Sequence, residues 1–184
     1  MKLFLKPSLA ILFAASVFIG TSCSNDDDPE PINEEELITT LTLTMIPQGE
    51  GATVTATYRD LDGDGGQVPT TSNISLAANK VYDVTVSVLD ESKTPAENIT
   101  EEVEEEGNEH QFFYVPTGVN LTVNATDKDS NNLPIGIVTT MTTAGASTGN
   151  LRVVLKHQPG LKNTTSTINT GETDVDVSFQ ITIQ

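Results

Sequence analysis

From Leu37 onward, apolar side chains recur at every second position in one segment after another. The final segment shows this most clearly, with apolar residues at Val175, Val177, Phe179, Ile181 and Ile183. A period of two places alternate side chains on opposite faces of a β-strand, so each segment has one face to bury and one face for solvent. Antiparallel sheets that pack face to face bury their strands in this way. The pattern therefore predicts an all-β antiparallel β-sandwich over residues 37–184, of an immunoglobulin-like or jelly-roll-like kind.

Turn-forming residues divide this region into nine segments of strand length. They are 37–47, 52–59, 73–76, 81–89, 111–115, 120–126, 135–142, 151–157 and 174–183.

One stretch departs from the alternation and predicts a short acidic helix over residues 98–106. Asn98 followed by Glu101 has the spacing of a capping box, in which the two side chains satisfy free backbone N–H groups at the start of a helix. Ile99 and Val103 would share one face, and Gly107 is a natural stop.

The first 22 residues have the layout of a secretion signal. Lys2 and Lys6 precede an apolar run from residue 9 to residue 19 that is too short to cross a bilayer, and small residues then lead to Cys23, the single cysteine. In a bacterial lipoprotein signal this cysteine becomes the new N-terminus and carries acyl chains such as palmitate, which anchor the protein to a membrane. We therefore expect cleavage before Cys23 and lipidation of Cys23. An ordinary secretory peptide with an incidental cysteine is the alternative.

Residues 23–36 contain two prolines and seven carboxylates with almost nothing to bury, which predicts a disordered, acidic tether. The whole chain has 26 acidic residues against 9 basic ones, a formal net charge of −17. Nucleic acid is not expected as a partner, because phosphate binding needs clustered Lys and Arg. An anionic bilayer would also repel such a surface, so the lipid would be the sole attachment to a membrane.

The segment DLDGDGG predicts a candidate calcium site. Asp60, Asp62 and Asp64 occupy alternate positions and Gly65 follows, which matches the first part of an EF-hand-type calcium loop. The twelfth position, where a bidentate Glu is needed, is Thr71, so we expect a weak site of about 10⁻⁴ to 10⁻³ M. A polar, glycine-rich hairpin loop without a metal is the alternative.

The two histidines predict a second candidate metal site. His110 is in phase with the apolar face of strand 111–115, and His157 continues the face that carries Leu155. Two imidazoles with the carboxylate of Glu109 or Glu106 would suit zinc or copper. The alternative is two unrelated histidines, each hydrogen-bonded at a strand end, and the sequence does not decide whether the two meet.

Two groups of motifs resemble known proteins. Cys23 followed by SNDDD is similar to the acidic export signals of surface-exposed lipoproteins in the Bacteroidota. Nearly the whole of the chain after Cys23 also resembles a family of small lipoproteins from that phylum that has no assigned activity. The segments that carry this resemblance are LITTLTLTMIPQG, DLDGDGG, TPAENITEEVEEEGNEHQFFY and GETDVDVSFQITIQ. The resemblance implies an outer-membrane protein that faces outward. Members are often described as having a type 1 periplasmic binding fold, which this sequence does not support because that fold needs long helices alternating with strands.

The sequence contains no motif that is typical of catalysis: no GxSxG, no HExxH, no phosphate-binding glycine loop and no cysteine besides Cys23. We therefore expect a non-enzymatic envelope lipoprotein that binds a ligand or partner as an accessory of an outer-membrane receptor or transporter, with metal binding as one form of that function. Two other classes stay open. One is a glycan hydrolase that uses two carboxylates across a cleft, and the other is a purely structural surface protein.

Overall fold

The computed structural model describes residues 37–63 and 66–184, which form ten strands and one helix, α1 (Ile99–Glu105). The strands are β1 (Thr40–Pro47), β2 (Val54–Arg59), β3 (Thr70–Thr71), β4 (Ile74–Leu76), β5 (Val81–Leu89), β6 (His110–Thr117), β7 (Leu121–Ala125), β8 (Val138–Thr143), β9 (Ser147–His157) and β10 (Glu172–Ile183). The predicted signal segment, Cys23, the predicted tether and Asp64 lie outside the described residues.

Six strands form the first sheet, in the order β3-β2-β1-β5-β8-β7. Every neighbouring pair in this sheet is antiparallel. β1 and β2 form a hairpin whose register runs from Thr40 opposite Arg59 to Met45 opposite Val54. Gly49 in the connection has a φ of 94°, a conformation that glycine adopts without the steric penalty of a Cβ atom.

Four strands form the second sheet, in the order β4-β10-β9-β6. β9 pairs with β10 and with β6 in antiparallel fashion. The short strand β4 pairs with β10 in parallel, which is the single departure from antiparallel pairing among the described strands. A parallel pair needs a long connection, and β4 and β10 are separated by most of the domain.

The apolar faces of the two sheets contribute to one hydrophobic core, which confirms the predicted all-β sandwich. Leu41, Leu43 and Met45 of β1 are fully buried in it, as are Phe179 and Leu151 of the second sheet. Because side chains alternate along a strand, a slip of one residue in either sheet would move a whole row of these side chains to the solvent.

Helix α1 packs on the first sheet through Ile99 and Val103, which are both buried. The hydroxyl of Thr100 accepts a hydrogen bond from the N–H of Val88 and donates one to its carbonyl, so the helix is fixed against β5. The predicted capping box does not form. The Asn98 side chain instead donates to the Glu101 carboxylate at 2.8 Å, and it makes no capping bond to the backbone.

The strand predicted at residues 135–142 begins only at Val138. Gly136 has a φ of 87°, which interrupts an extended strand. The Asp127 carboxylate accepts hydrogen bonds from the N–H groups of Gly136, Ile137 and Val138 at 2.8–3.1 Å. In a regular strand these N–H groups would donate to a neighbouring strand, but here they donate to the Asp127 side chain. The alternation of Ile135 and Ile137 in the sequence does not indicate this difference.

Candidate metal centre

The two histidines meet at one end of the four-stranded sheet. β6 begins at His110 and β9 ends at His157, and the antiparallel register places the two residues directly opposite each other. Opposed residues bring their Cβ atoms to about 5 Å. The two rings stack with centroids 4.5 Å apart and planes within 9° of parallel. Both residues are buried, with exposed fractions of 1% for His110 and 8% for His157.

The turn between α1 and β6 brings two carboxylates to this pair. The carbonyl oxygen of Glu106 accepts hydrogen bonds from the N–H groups of Glu109 and His110, which closes the turn. One carboxylate oxygen of Glu106 lies 3.9 Å from Nδ1 of His110, and one of Glu109 lies 3.4 Å from Nε2 of His157. The N–H of Gln158 donates to the Glu109 carbonyl at 2.6 Å, so the β6–β9 ladder extends past the histidines and holds the turn in place.

Glu106, His110 and His157 each offer a ligand atom, and these atoms lie within 4.8 Å of one another. Two ligands bound at 2.0–2.1 Å to one tetrahedral zinc ion are roughly 3.3 Å apart, so the ligand atoms need to approach one another by up to about 1.5 Å. An imidazole binds a metal in the plane of its ring, and two parallel stacked planes have no such point in common. One ring must therefore tilt, and His157 is the more exposed of the two.

Electrostatics keep His110 in its metal-binding form. Burial lowers the pKa of His110 to about 4, and the charge interactions with His157 and Lys162 act in the same direction. The Glu106 carbonyl and the Glu109 carboxylate oppose this shift without cancelling it. His110 is therefore neutral at pH 7, which is the form of imidazole that coordinates a metal.

Asp174 lies beside Nε2 of His110, and this position differs from the one that the alternation of β10 predicts. The alternation in β10 predicts that Asp174 and Asp176 share the solvent face. The strand instead changes register between Thr173 and Val175, so that Asp174 is an extra residue in a bulge. Its side chain is 5% exposed, and one carboxylate oxygen lies 3.9 Å from Nε2 of His110. A bulge re-aims a side chain in this way, and neither Thr173 nor Val175 is a glycine that would mark one.

A buried ion pair stabilises the turn between α1 and β6. Lys162 Nζ lies 2.9 Å from Oδ2 of Asp129, and both side chains are at most 2% exposed. The same ammonium donates to the carbonyl oxygen of Gly107 at 2.5 Å, directly after α1. Burial raises the pKa of Asp129, but the hydrogen bonds from Lys162, Leu133 and Asn131 and the charge of Lys162 outweigh it and leave the pKa below its usual range. No sequence pattern indicated this pair.

The first two aspartates of the predicted calcium loop are engaged within their own turn. Asp60 accepts a hydrogen bond from the N–H of Gly63 at 3.0 Å, and Asp62 accepts one from the N–H of Gln67 at 2.9 Å. A cavity of about 390 Å³ lies beside them. These bonds are those of a polar turn. Because Asp64 is outside the described residues, calcium binding by this loop stays a prediction.

Comparisons of the chain with protein-family models, with curated proteins and with solved structures find no match. Among the described residues there is no helix with the length and apolar character needed to cross a membrane.

Proposed function

We propose that this protein is a non-enzymatic envelope protein that binds a transition-metal ion of the zinc or copper kind. The observation that carries the proposal is the meeting of His110 and His157, the only two histidines of the chain, with the Glu106 carboxylate beside them. Imidazole nitrogen and carboxylate oxygen are ligands that zinc and copper share. Three protein ligands leave a coordination position open, which suits an ion that is captured and later released.

The charge around the site supports capture of a cation. Helix α1 carries Glu101 and Glu102 in its first turn, and Glu104 and Glu105 are exposed beside Glu106. A surface of one sign raises the local concentration of ions of the opposite sign and speeds their association. The acidic helix would therefore attract a cation, and the buried imidazoles would select a transition metal over the more abundant hard ions.

The envelope location is supported by the sequence before residue 37. A lipidated Cys23 and the acidic tether of residues 23–36 would hold the domain at the outer membrane, in agreement with the resemblance to Bacteroidota lipoproteins. There the protein would serve as an accessory to a receptor or transporter engaged in uptake. Replacement of Cys23 by Ser should move the protein from the membrane fraction to the soluble fraction. A Cys23→Ser protein that stays with the outer membrane would show that acylation is not the anchor.

Isothermal titration calorimetry with zinc, copper(II) and calcium tests the metal site itself. We expect one zinc or copper ion per chain, copper bound more tightly than zinc in accord with the general order of divalent affinities, and no calcium bound at the histidines. His157→Gln and Glu106→Gln should weaken binding, the first more than the second. Glu105→Gln is the matched control, because it removes an equal charge from the exposed neighbouring residue at the end of α1.

Circular dichroism of each variant before titration checks that it is folded. A parent protein that binds neither zinc nor copper would refute the proposal. Tight zinc binding that survives the loss of both histidines would also refute it, since the ion would then be held by surface carboxylates.

A further inference from the structure

The bulge in β10 gives two carboxylates of one strand different surroundings. Asp176 is 39% exposed and forms a bidentate pair with Arg152, at 2.8 Å and 2.5 Å. Asp174 is 5% exposed and lies beside Nε2 of His110. Burial of a carboxylate is costly unless neighbouring groups interact with it, and the His110 ring is one such neighbour.

The two nitrogens of the His110 ring face different partners. Nδ1 lies 3.9 Å from the Glu106 carboxylate and 3.3 Å from the Glu106 carbonyl oxygen. Nε2 lies on the other edge of the ring and faces Asp174. A metal shared with Glu106 would therefore bind Nδ1, and Asp174 is on the wrong side of the ring to bind the same ion.

We propose that Asp174 is a positioning residue of the metal centre, which stabilises the proton of His110 on Nε2 when a metal takes the lone pair of Nδ1. This inference rests on the proposed metal-binding function and deepens it. Histidines that bind metals commonly donate their second ring N–H to a carboxylate, which fixes the tautomer and makes the ligand more basic.

The chemistry requires no net change of protonation at His110. A neutral imidazole carries one proton, and in the free protein the Glu106 carbonyl favours that proton on Nδ1. Binding of a metal at Nδ1 moves the proton to Nε2, where Asp174 accepts it as a hydrogen bond. The distance from Nε2 to Asp174 must then shorten from 3.9 Å to about 2.8 Å, the usual length of a charge-assisted bond.

The test compares zinc affinity in the parent, Asp174→Asn, Asp174→Ala and Asp176→Asn. We expect Asp174→Ala to lose about 10- to 100-fold in affinity with unchanged stoichiometry, as is typical when such a partner is removed. Asp174→Asn should fall between the parent and Asp174→Ala, because an amide oxygen still accepts a hydrogen bond but carries no charge. Asp176→Asn is the matched control in the same strand and should bind zinc as the parent does.

Nuclear magnetic resonance of the ring nitrogens separates a positioning role from a merely structural one. In the zinc-loaded parent, the couplings from the ring carbon protons should place the His110 proton on Nε2. A proton on Nδ1, or equal zinc affinity in the parent and Asp174→Ala, would overturn the role of Asp174 while leaving the proposed function in place. A parent that does not bind zinc would overturn both.

Discussion

The two cation sites that the sequence suggests are built in opposite ways. The acidic loop, residues 60–66, places its aspartates within a few consecutive residues. The histidine cluster, formed by Glu106, Glu109, His110 and His157, joins groups that are distant in the chain, such as Glu109 and His157, which are 48 residues apart. In the loop, Asp60 and Asp62 accept hydrogen bonds from the backbone of their own turn. In the cluster, His110 and His157 are paired residues of the β6–β9 ladder, and this pairing brings their side chains together.

This difference shows why a local sequence motif is a weaker indication of a metal site than two side chains that meet at the ends of paired strands. Aspartates in a glycine-rich turn have backbone N–H groups within reach, and they satisfy those groups whether or not a metal is present. Two histidines directly opposite in an antiparallel pair come from distant parts of the chain, and their contact is a consequence of register. We therefore expect the long-range cluster to depend on tertiary structure and the local loop to be independent of it.

The largest effect is expected from Lys162→Met. This change leaves the Asp129 carboxylate buried without its cation, which typically costs about 3–5 kcal/mol in the free energy of unfolding. Urea unfolding followed by circular dichroism measures the loss. Lys93→Met is the control, because the Lys93 side chain is 58% exposed and water screens its pairs with Asp90 and Glu97, so a much smaller loss is expected. Equal losses in the two variants would contradict the view that the turn beside the histidines is fixed by a buried ion pair.

A second, smaller effect concerns pH. The pKa of His110 is lowered in the folded protein to about 4, whereas in the unfolded chain it has its ordinary value of 6.5. Between these values the unfolded chain binds the extra proton, so this contribution to stability is present above pH 6.5 and is lost as the pH falls towards 4. The loss should reach about 3 kcal/mol by pH 4, since the two pKa values differ by about 2.5 units and each unit is worth about 1.4 kcal/mol per proton.

Urea unfolding of the metal-free protein at several pH values between 4 and 7 measures this dependence. His110→Gln has no group that titrates at this position, so its stability should fall less over the same interval. A parent and a variant with the same slope would show that His110 does not carry the shift.

The smallest effects belong to the acidic loop. Asp62→Ala removes an acceptor from an exposed turn and should cost about 1 kcal/mol or less. If the loop binds calcium, calcium at ten times its dissociation constant should stabilise the parent by about 1.4 kcal/mol. Thermal unfolding with and without millimolar calcium should show this gain in the parent and its loss in Asp62→Ala. A parent with no calcium response would leave the loop as a polar turn.

The sequence predicts the sandwich well because each strand carries its own alternation, and β5 begins and ends where its pattern does. It also predicts which faces His110 and His157 share, because the phase continues from Phe112 and Leu155. It does not predict that the two rings meet, since register between distant strands depends on packing of the whole sheet. The burial of Asp174 is missed for a related reason: a bulge shifts the phase of a strand without a residue type that marks it.

The most direct test of the account is pulsed electron paramagnetic resonance of the copper(II)-loaded protein, purified without a histidine tag. Nuclear modulation from the remote ring nitrogens counts the imidazoles bound to each copper ion. Because the chain has only two histidines, a count of two identifies His110 and His157 without further labelling. We predict two imidazoles per copper in the parent and one in His157→Gln. A copper centre with no imidazole, or with one imidazole in the parent, would contradict the proposal that the opposed histidines bind one metal ion.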